Sequence, residues 1–369
     1  MAKKPEPEGK KEWKPARIVH LLGGLRAVDG RAESVLIQIA PNKQLLRFAT
    51  PKYEQLYATL GGLSQTAIGV EFPHPLTWEG RMAADWECFF PTLGFRVMEE
   101  RRAWSNIRHS ASRSGEAQVY DAASRCVTYL DLLDIRLMEL SSAYNRVLRA
   151  GIADDTKPGH LFSNSYMREI DAAIHAFVAD AGSFRDLIAE IVWKFAIRGD
   201  GEVTRFSSFI KKAKGISSPV GAELLEAGEG EGWLSILTDL RNNIVHVAPV
   251  GRSAGFHFCE VREVPCGRVN VVPTLHYPLL SANGKIWGGA AKDMVFTSEN
   301  EPAIKAALAE YKEYLAGSID GLTYAWQTIQ RFAELLTRIR TETGLHGETP
   351  TITDKDIIGE VKVHPPSKP

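Results

Sequence analysis

Apolar residues recur at alternating spacings of four and three over long stretches of the chain, and this period predicts amphipathic α-helices with one buried face. The longest of these apolar stripes, called seams below, run through residues 119–147, 167–195 and 308–339. The last begins after Pro302 and is interrupted only by the polar Ser318. Helices of roughly 30–40 residues with such narrow seams pack against one another as a bundle. The pattern therefore predicts a mainly α fold built on three long helices. Shorter segments of the same period lie at about 203–214, 217–226 and 231–247.

Other segments alternate apolar and polar residues, as β-strands do. Runs at 256–261 and 268–272 flank Pro265-Cys266-Gly267 and predict a β-hairpin within 255–297, inserted before the last helix. Nearer the N-terminus, strand patterns at 35–39 and 66–72 enclose a short helical segment at 51–60.

These elements predict four parts of the chain. Residues 1–14 are rich in Lys, Glu and Pro, a composition that favours a disordered tail. Residues 15–112 form a small α+β unit whose role the sequence does not indicate. A helical bundle with the hairpin occupies 115–343, and a flexible tail follows over 344–369.

Composition narrows the functional classes. The 369 residues carry a formal net charge of −1, so RNA or DNA would have to be bound by a local basic patch, because no global positive field exists. No apolar run approaches the roughly 18 residues of a membrane-spanning helix, and the first residues lack the apolar core of a signal peptide. The 4 cysteines form no CxxC pair. We therefore expect a cytoplasmic protein with reduced thiols, no metal and no cofactor.

The segment at 231–247 carries the main chemical candidates. Its apolar stripe comprises Trp233, Leu237, Leu240, Ile244 and Val247. At about 100° per residue, this stripe lies between about −40° and −120° when Arg241 is set at zero, whereas Asn242 lies near 100° and His246 near 140°. The three polar side chains are thus expected to project from the non-core side. Pro249 prevents the helix from continuing far, so His246 falls in the last turn, where the helix dipole favours a cation.

The sequence Arg241-Asn242-x-x-x-His246 resembles the signature of HEPN-domain ribonucleases, an Arg, a polar residue and a His. The resemblance implies a HEPN-like helical bundle, here with a β-hairpin insertion and a small N-terminal α+β unit. It also implies metal-independent cleavage of RNA, with His246 transferring protons and Arg241 binding phosphate oxygens. Because one His does not easily make both proton transfers, the resemblance further implies a homodimer in which two motifs face one cleft.

Spacing alone does not single out this motif, because four other Arg–His pairs have similar separations. Arg168–His175 lies inside a long helical seam with the acidic Glu169 after the Arg, and Arg102–His109 has Ala103 there. The remaining two pairs fall in a loop and across a predicted helix end: Arg252–His257 and Arg340–His346. The polar residue after Arg241 and the helical context distinguish the chosen motif.

Weaker candidates surround it. Asn243 and Asp239 are possible supporting residues of the site, or ordinary solvated positions. Two basic segments are candidate RNA contacts by charge, with one aromatic residue for base stacking, or else plain solvated faces. Their residues are Arg101, Arg102, Trp104, Arg108 and His109, and Lys211, Lys212 and Lys214.

Two functions remain open. The first is an endoribonuclease of the HEPN type, a toxin or anti-phage defence effector restrained by an antitoxin, by another regulatory protein or by its own N-terminal unit. The second is a non-catalytic HEPN-like helical module that binds RNA or a protein partner. A zinc-dependent hydrolase is a distant third, because the spacing of its candidate ligands matches no standard site. Those ligands are His257, His276, Cys259 and Cys266.

Overall fold

The computed structural model describes residues 17–30, 33–40, 43–50, 55–72, 85–88, 96–215, 217–246, 258–285 and 301–350. This part of the chain is mainly helical, with antiparallel sheets, as the sequence predicts. The helices are α1 Leu56–Gly62, α2 Arg96–Ser114, α3 Ala117–Ala153, α4 Met167–Ile191, α5 Phe206–Lys212, α6 Pro219–Gly228, α7 Trp233–His246, α8 Glu301–Gly317 and α9 Gly321–Thr343.

The first two long helices are confirmed. α3 spans 37 residues, and α4 continues into a π-helical turn at Val192–Ile197. The third is wrong as a single helix, since α8 ends at Gly317 and α9 begins at Gly321. The break is held by Asp320, whose carboxylate accepts a hydrogen bond from the Thr323 amide at 3.0 Å and so caps α9. Ser318, the polar gap in the seam, donates to Leu315 O at 2.8 Å.

Six antiparallel strands form the N-terminal sheet, in the order β4-β3-β2-β1-β5-β6. Their bounds are β1 Ile18–Leu21, β2 Arg26–Gly30, β3 Ser34–Ala40, β4 Lys43–Ala49, β5 Ala67–Phe72 and β6 Asp85–Cys88. β3 and β5 confirm the two strands that the alternating pattern predicts. The predicted helix between them is α1.

The predicted hairpin is also confirmed. β8 (Cys259–Cys266) pairs with β9 (Asn270–His276) across a turn at 267–269. The short β7 (Leu161–Phe162) pairs with β8, while β10 (Pro278–Leu280) pairs with β11 (Ile319–Asp320) at the break between α8 and α9. The pairing of β10 with β11 thereby holds the chain immediately before the start of α9.

The sheet and the bundle share one hydrophobic core. Buried Val19 and Ile37 from the sheet belong to the same cluster as Leu137 of α3, Phe184 of α4 and Phe332 of α9. A continuous core of this kind joins the α+β unit and the helical bundle into one packed body.

Polar contacts reinforce the junction between sheet and α3. The Asn145 amide of α3 donates to Gly24 O at 2.8 Å and to Ile39 O at 2.7 Å. A Cβ at Gly24 would lie 3.0 Å from the Tyr144 backbone carbon, and the φ of Gly24 is +88°, so glycine permits the close approach. These contacts hold the sheet directly against the α3 backbone.

The chain remains packed beyond the predicted end of the bundle at 343. Residues 345–349 lie along α2, where the Glu348 amide donates to Ser110 Oγ at 3.1 Å. The Asn106 amide nitrogen lies 3.3 Å from Thr349 Oγ1. Residues 345–349 therefore pack on the fold, whereas the sequence predicts a flexible tail from residue 344.

Within these ranges, no helix is long and apolar enough to cross a membrane.

Candidate functional site

α7 carries the Arg–Asn–His motif and packs on the core through one stripe. Leu234, Leu237 and Leu240 are buried, while Trp233 and Ile244 pack half-buried against the cluster. The predicted stripe is therefore confirmed at Leu237 and Leu240, with Leu234 as its first buried member.

α7 runs antiparallel to α4. Arg185 of α4 donates to Thr238 Oγ1 at 2.5 Å, and Arg241, one turn further along α7, lies over Gly182, one turn earlier in α4. A Cβ at Gly182 would come 2.5 Å from Arg241 Cδ and 3.0 Å from its Nε. The side chain of Arg241 thus lies directly on the α4 backbone, in space that only glycine leaves.

The guanidinium of Arg241 is half-buried, and no hydrogen bond or ion pair joins it to a residue in the described ranges. Its neighbour Arg185, by contrast, is buried and bonded to Asp186 at 2.9 Å as well as to Thr238. An Arg that is held in place by packing, and that makes no hydrogen bond within the described ranges, can offer its donor fork to a ligand oxygen.

The other motif positions lie on the open side of α7. Asn242 and Asp239 are exposed, and Asn243 is half-buried. The helix ends at His246, whose side chain lies outside the described part of the structure. The structure therefore places Arg241 and Asn242 side by side at the end of α7, with His246 as the final helical residue.

The structure differs from the sequence-based expectation at the first basic segment, which lies on α2. Trp104 is fully buried in the core, so its ring offers no face for a base to stack on. Arg101 is paired with Asp131 at 3.0 Å, and Arg108 donates to Ser105 at 3.3 Å. Arg102 is exposed, and His109 is half-buried. The segment is basic on one side only and lacks its predicted aromatic contact.

The second basic segment lies on α5 and the turn after it. Lys211 and Lys214 are exposed, and Lys214 lies 3.8 Å from a Glu229 carboxylate oxygen. Lys212 donates to Glu202 O at 3.0 Å, and its ammonium lies 5.6 Å from the ring centroid of Trp193. Of these lysines, Lys211 keeps the most freely exposed charge.

The candidate zinc ligands are not gathered in one place. Cys259 and Cys266 are both buried at opposite ends of β8, and seven residues of strand span about 23 Å. His276 is buried, with Nε2 2.8 Å from Ser318 Oγ. His257 lies outside the described residues. No group of three His, Cys, Asp or Glu in the described ranges could hold a metal ion.

Sequence reasoning missed one residue of α4 that the structure places beside the motif helix. Gly182 supports the side chain of Arg241. The sequence did contain a hint of the role of Gly182. A glycine inside a helix lowers stability relative to alanine, so its presence indicates that a neighbour needs the space that a side chain would fill.

The chain matches no family model, no curated protein and no solved structure.

Proposed function

We propose that the protein is a metal-independent endoribonuclease of the HEPN type that cleaves RNA by attack of the 2′-hydroxyl. The observation that carries the proposal is the state of Arg241: packed over Gly182, half-exposed, and without a protein acceptor in the described ranges. It lies next to the exposed Asn242 and five residues before His246 at the end of the same helix.

Each residue has a defined task in this reaction. The Arg241 guanidinium binds the non-bridging phosphate oxygens, where negative charge grows in the transition state. Asn242 donates to a phosphate oxygen or orients the imidazole of His246. His246, the last described residue of α7, transfers a proton. Asp239 and Asn243 are supporting positions beside them, and Arg102 and Lys211 are exposed cations that can bind the RNA backbone.

We place this activity in the cytoplasm and assign it to a toxin or anti-phage defence effector restrained by an antitoxin or another regulatory protein. The proposal rests on the HEPN-like motif, and co-expression with neighbouring genes, scored for relief of growth arrest, tests it.

The alternative is a non-catalytic HEPN-like module that binds RNA or a protein partner. The net charge of −1 and the burial of Trp104 favour it, because both weaken the case for strong RNA binding. Purified protein incubated with total RNA in EDTA, beside the His246→Ala variant, distinguishes the two. Fragments from the wild type alone support the enzyme, and intact RNA in both reactions supports the module.

A homodimer with two motifs in one cleft remains a prediction. Its interface would need an apolar patch near α7 and about 1,000 Å² of buried surface or more. In the described part of the chain, the exposed large apolar side chains lie on other elements: Tyr120, Ile135, Tyr166, Val269 and Val271. Sedimentation of the active protein tests the expectation, and a monomer that cleaves RNA contradicts it.

The reaction products give a further prediction. If the 2′-hydroxyl attacks, we expect EDTA to leave the cleavage rate unchanged and every new 3′ end to be a 2′,3′-cyclic phosphate, measured by end-group analysis of the fragments. Loss of activity in the chelator, or exclusive 3′-hydroxyl ends, would instead indicate metal-assisted hydrolysis.

The substitution Gly182→Ala should separate activity from stability. The added Cβ would displace Arg241, and misplacing a catalytic group by about 1 Å costs roughly tenfold or more in rate. Helix propensity should meanwhile raise the free energy of unfolding by up to about 1 kcal/mol.

The matched control is Gly317→Ala at the end of α8, where an added Cβ meets nothing within 4 Å. We expect this variant to cleave RNA at the wild-type rate. Unchanged cleavage in Gly182→Ala, measured together with its urea unfolding curve, would show that Arg241 does not depend on Gly182.

A further inference from the structure

A cleft of about 520 Å³ lies at the end of α4, beside the π-helical turn at Val192–Ile197. Three cationic side chains line it: Arg125 of α3, Lys194 of the turn, and Arg198 directly after the turn. π-helical turns are uncommon and are frequently found at functional sites. The cleft therefore gathers positive charge from two segments that are distant in the sequence.

The backbone holds Arg198 at the cleft in an unusual conformation. Its φ is +55°, in the left-handed region that glycine adopts more readily than any other residue. A glycine follows immediately, but packing fixes its place, because a Cβ on Gly199 would overlap the ring of Trp193. The Trp193 indole in turn donates to Gly201 O at 2.9 Å, which ties this loop to the end of α4. The strained position is thus occupied by an arginine whose side chain lines the cleft.

Arg125 is held at one side of the cleft by carboxylates. Its guanidinium donates to Glu190 of α4 at 2.6 Å and lies 3.3 Å from an Asp121 oxygen, one turn earlier in α3. These contacts balance the charge of Arg125. Any excess positive charge must therefore come from the turn and the loop after it.

Lys194 and Arg198 supply that excess. Both are exposed, and within the described ranges neither forms an ion pair. Residues 194–214 hold six Lys or Arg against two acidic residues, Asp200 and Glu202, which leaves four positive charges in a chain whose net charge is −1. A local patch of this kind is what a polyanion requires of a chain without a global positive field.

The cleft lies further along the helix on which Arg241 packs. From Gly182, beneath Arg241, to Lys194 the distance is about 18 Å along the helix axis, at 1.5 Å per residue. A single strand of a few nucleotides spans such a distance, and proteins follow single strands with positively charged grooves. RNA held at Arg241 can therefore reach the cleft as well.

Resting on the proposed function, we propose that Lys194 and Arg198 bind phosphate groups of the RNA strand away from the bond that is cut. Buried Trp193 offers no open face to a base, because Gly199 packs on its ring and the Lys212 ammonium lies 5.6 Å from the ring centroid. The contact is thus to the backbone, independent of base sequence and weakened by salt. The cleft adds affinity for longer RNA and takes no part in the chemistry.

Binding of a fluorescent 2′-O-methyl RNA of about 12 nucleotides tests the assignment, because this probe cannot be cut by 2′-hydroxyl attack. Fluorescence anisotropy gives its affinity between about 50 and 200 mM salt. We expect the double variant Lys194→Ala/Arg198→Ala to bind at least about fivefold more weakly at the lower salt, whatever the base sequence. The slope of log affinity against log salt should become shallower by about 1.4, since each single-strand phosphate contributes about 0.7.

The matched control is Arg149→Ala/Lys312→Ala, which removes two exposed cations from α3 and α8. It should bind with the affinity and slope of the wild type. A second variant, Arg198→Gly, removes one charge and relieves the left-handed position, so it should melt at or above the wild-type temperature and still bind more weakly. Unchanged affinity and slope in the double variant, or an equal loss in the control, overturns the assignment.

Two further arms separate the sources of phosphate and the two proposals. If millimolar adenosine monophosphate displaces the probe from the wild type but not from the double variant, the cleft binds a free nucleotide and the RNA assignment is wrong. On cleavable RNA, the double variant should raise KM for about 12 nucleotides and leave kcat, and cleavage of a strand of about four nucleotides, unchanged. If the wild type cuts neither RNA while the binding differences appear, the proposed function fails and the cleft stands as an RNA-binding site.

Discussion

Arg241→Ala and His246→Ala should each reduce RNA cleavage at least about 100-fold, the loss that follows when one preorganised group at a developing charge is removed. Within the described ranges Arg241 makes no hydrogen bond, and its side chain packs on Gly182. We therefore expect the free energy of unfolding to fall by about 1 kcal/mol or less, through the lost packing. The measurement is paired: cleavage rate and thermal melting of the same preparation.

Arg149→Ala is the matched control for Arg241, because Arg149 is an exposed arginine on α3. It should leave both the rate and the melting temperature unchanged. A melting temperature several degrees lower in Arg241→Ala or His246→Ala would instead assign these residues a structural role. The non-catalytic module would then explain the motif better than the enzyme does.

Acid should unfold the protein through a buried histidine at the junction of sheet and α3. His20 is almost fully buried, with Nδ1 3.0 Å from Ser141 Oγ and Nε2 3.1 Å from Glu71 Oε1. Arg26 donates to Ser141 Oγ at 3.2 Å. Burial, with a smaller effect of Arg26, lowers the pKa of His20 to about 3, although Glu71 opposes the shift. His20 is therefore neutral in the folded protein at pH 7.

The sign of the effect follows from proton uptake. In the unfolded chain His20 titrates near its ordinary pKa of 6.5, so below that pH the unfolded state binds a proton that the folded state does not. Stability is fully present above pH 6.5 and is lost as the pH falls towards 3. This one group should remove about 3 kcal/mol between pH 7 and pH 4.

Urea unfolding of the wild type and of His20→Gln at pH 7 and pH 4 measures the contribution. The variant starts less stable at pH 7, but its stability should fall with pH less steeply than that of the wild type. Buried His276, whose pKa burial also lowers, acts in the same direction in both proteins and cancels in the comparison. Equal slopes for the two proteins would show that His20 is not the responsible group.

The sequence predicts the elements of this fold better than their boundaries. The long seams of α3 and α4 were sufficient to locate both helices, because each keeps one face buried along its whole length. The break between α8 and α9 could not be read from the seam, since it depends on the pairing of β11 with β10, which lies about 40 residues earlier.

Trp104 shows that neighbouring charges can suggest the wrong role for a residue whose helical spacing indicates burial. The residue stands among arginines, yet Val97, Trp104, Ile107 and Ala111 follow helical spacings and are all buried on one face of α2. The motif itself was found from the chain, whereas its support was not. Gly182 lies beside Arg241 only because α4 packs antiparallel to α7, a relation between distant segments that a single sequence does not reveal.

The core that the sheet and the helices share determines how much of the chain is needed for a stable fold. Sheet residues such as Val19 and Ile37 cover apolar surface of the helices, and Asn145 of α3 is satisfied by carbonyl groups of the sheet. Removing the first 112 residues would therefore expose that apolar surface to water, which favours aggregation. The helices α3 to α9 therefore depend on the N-terminal sheet for a stable fold.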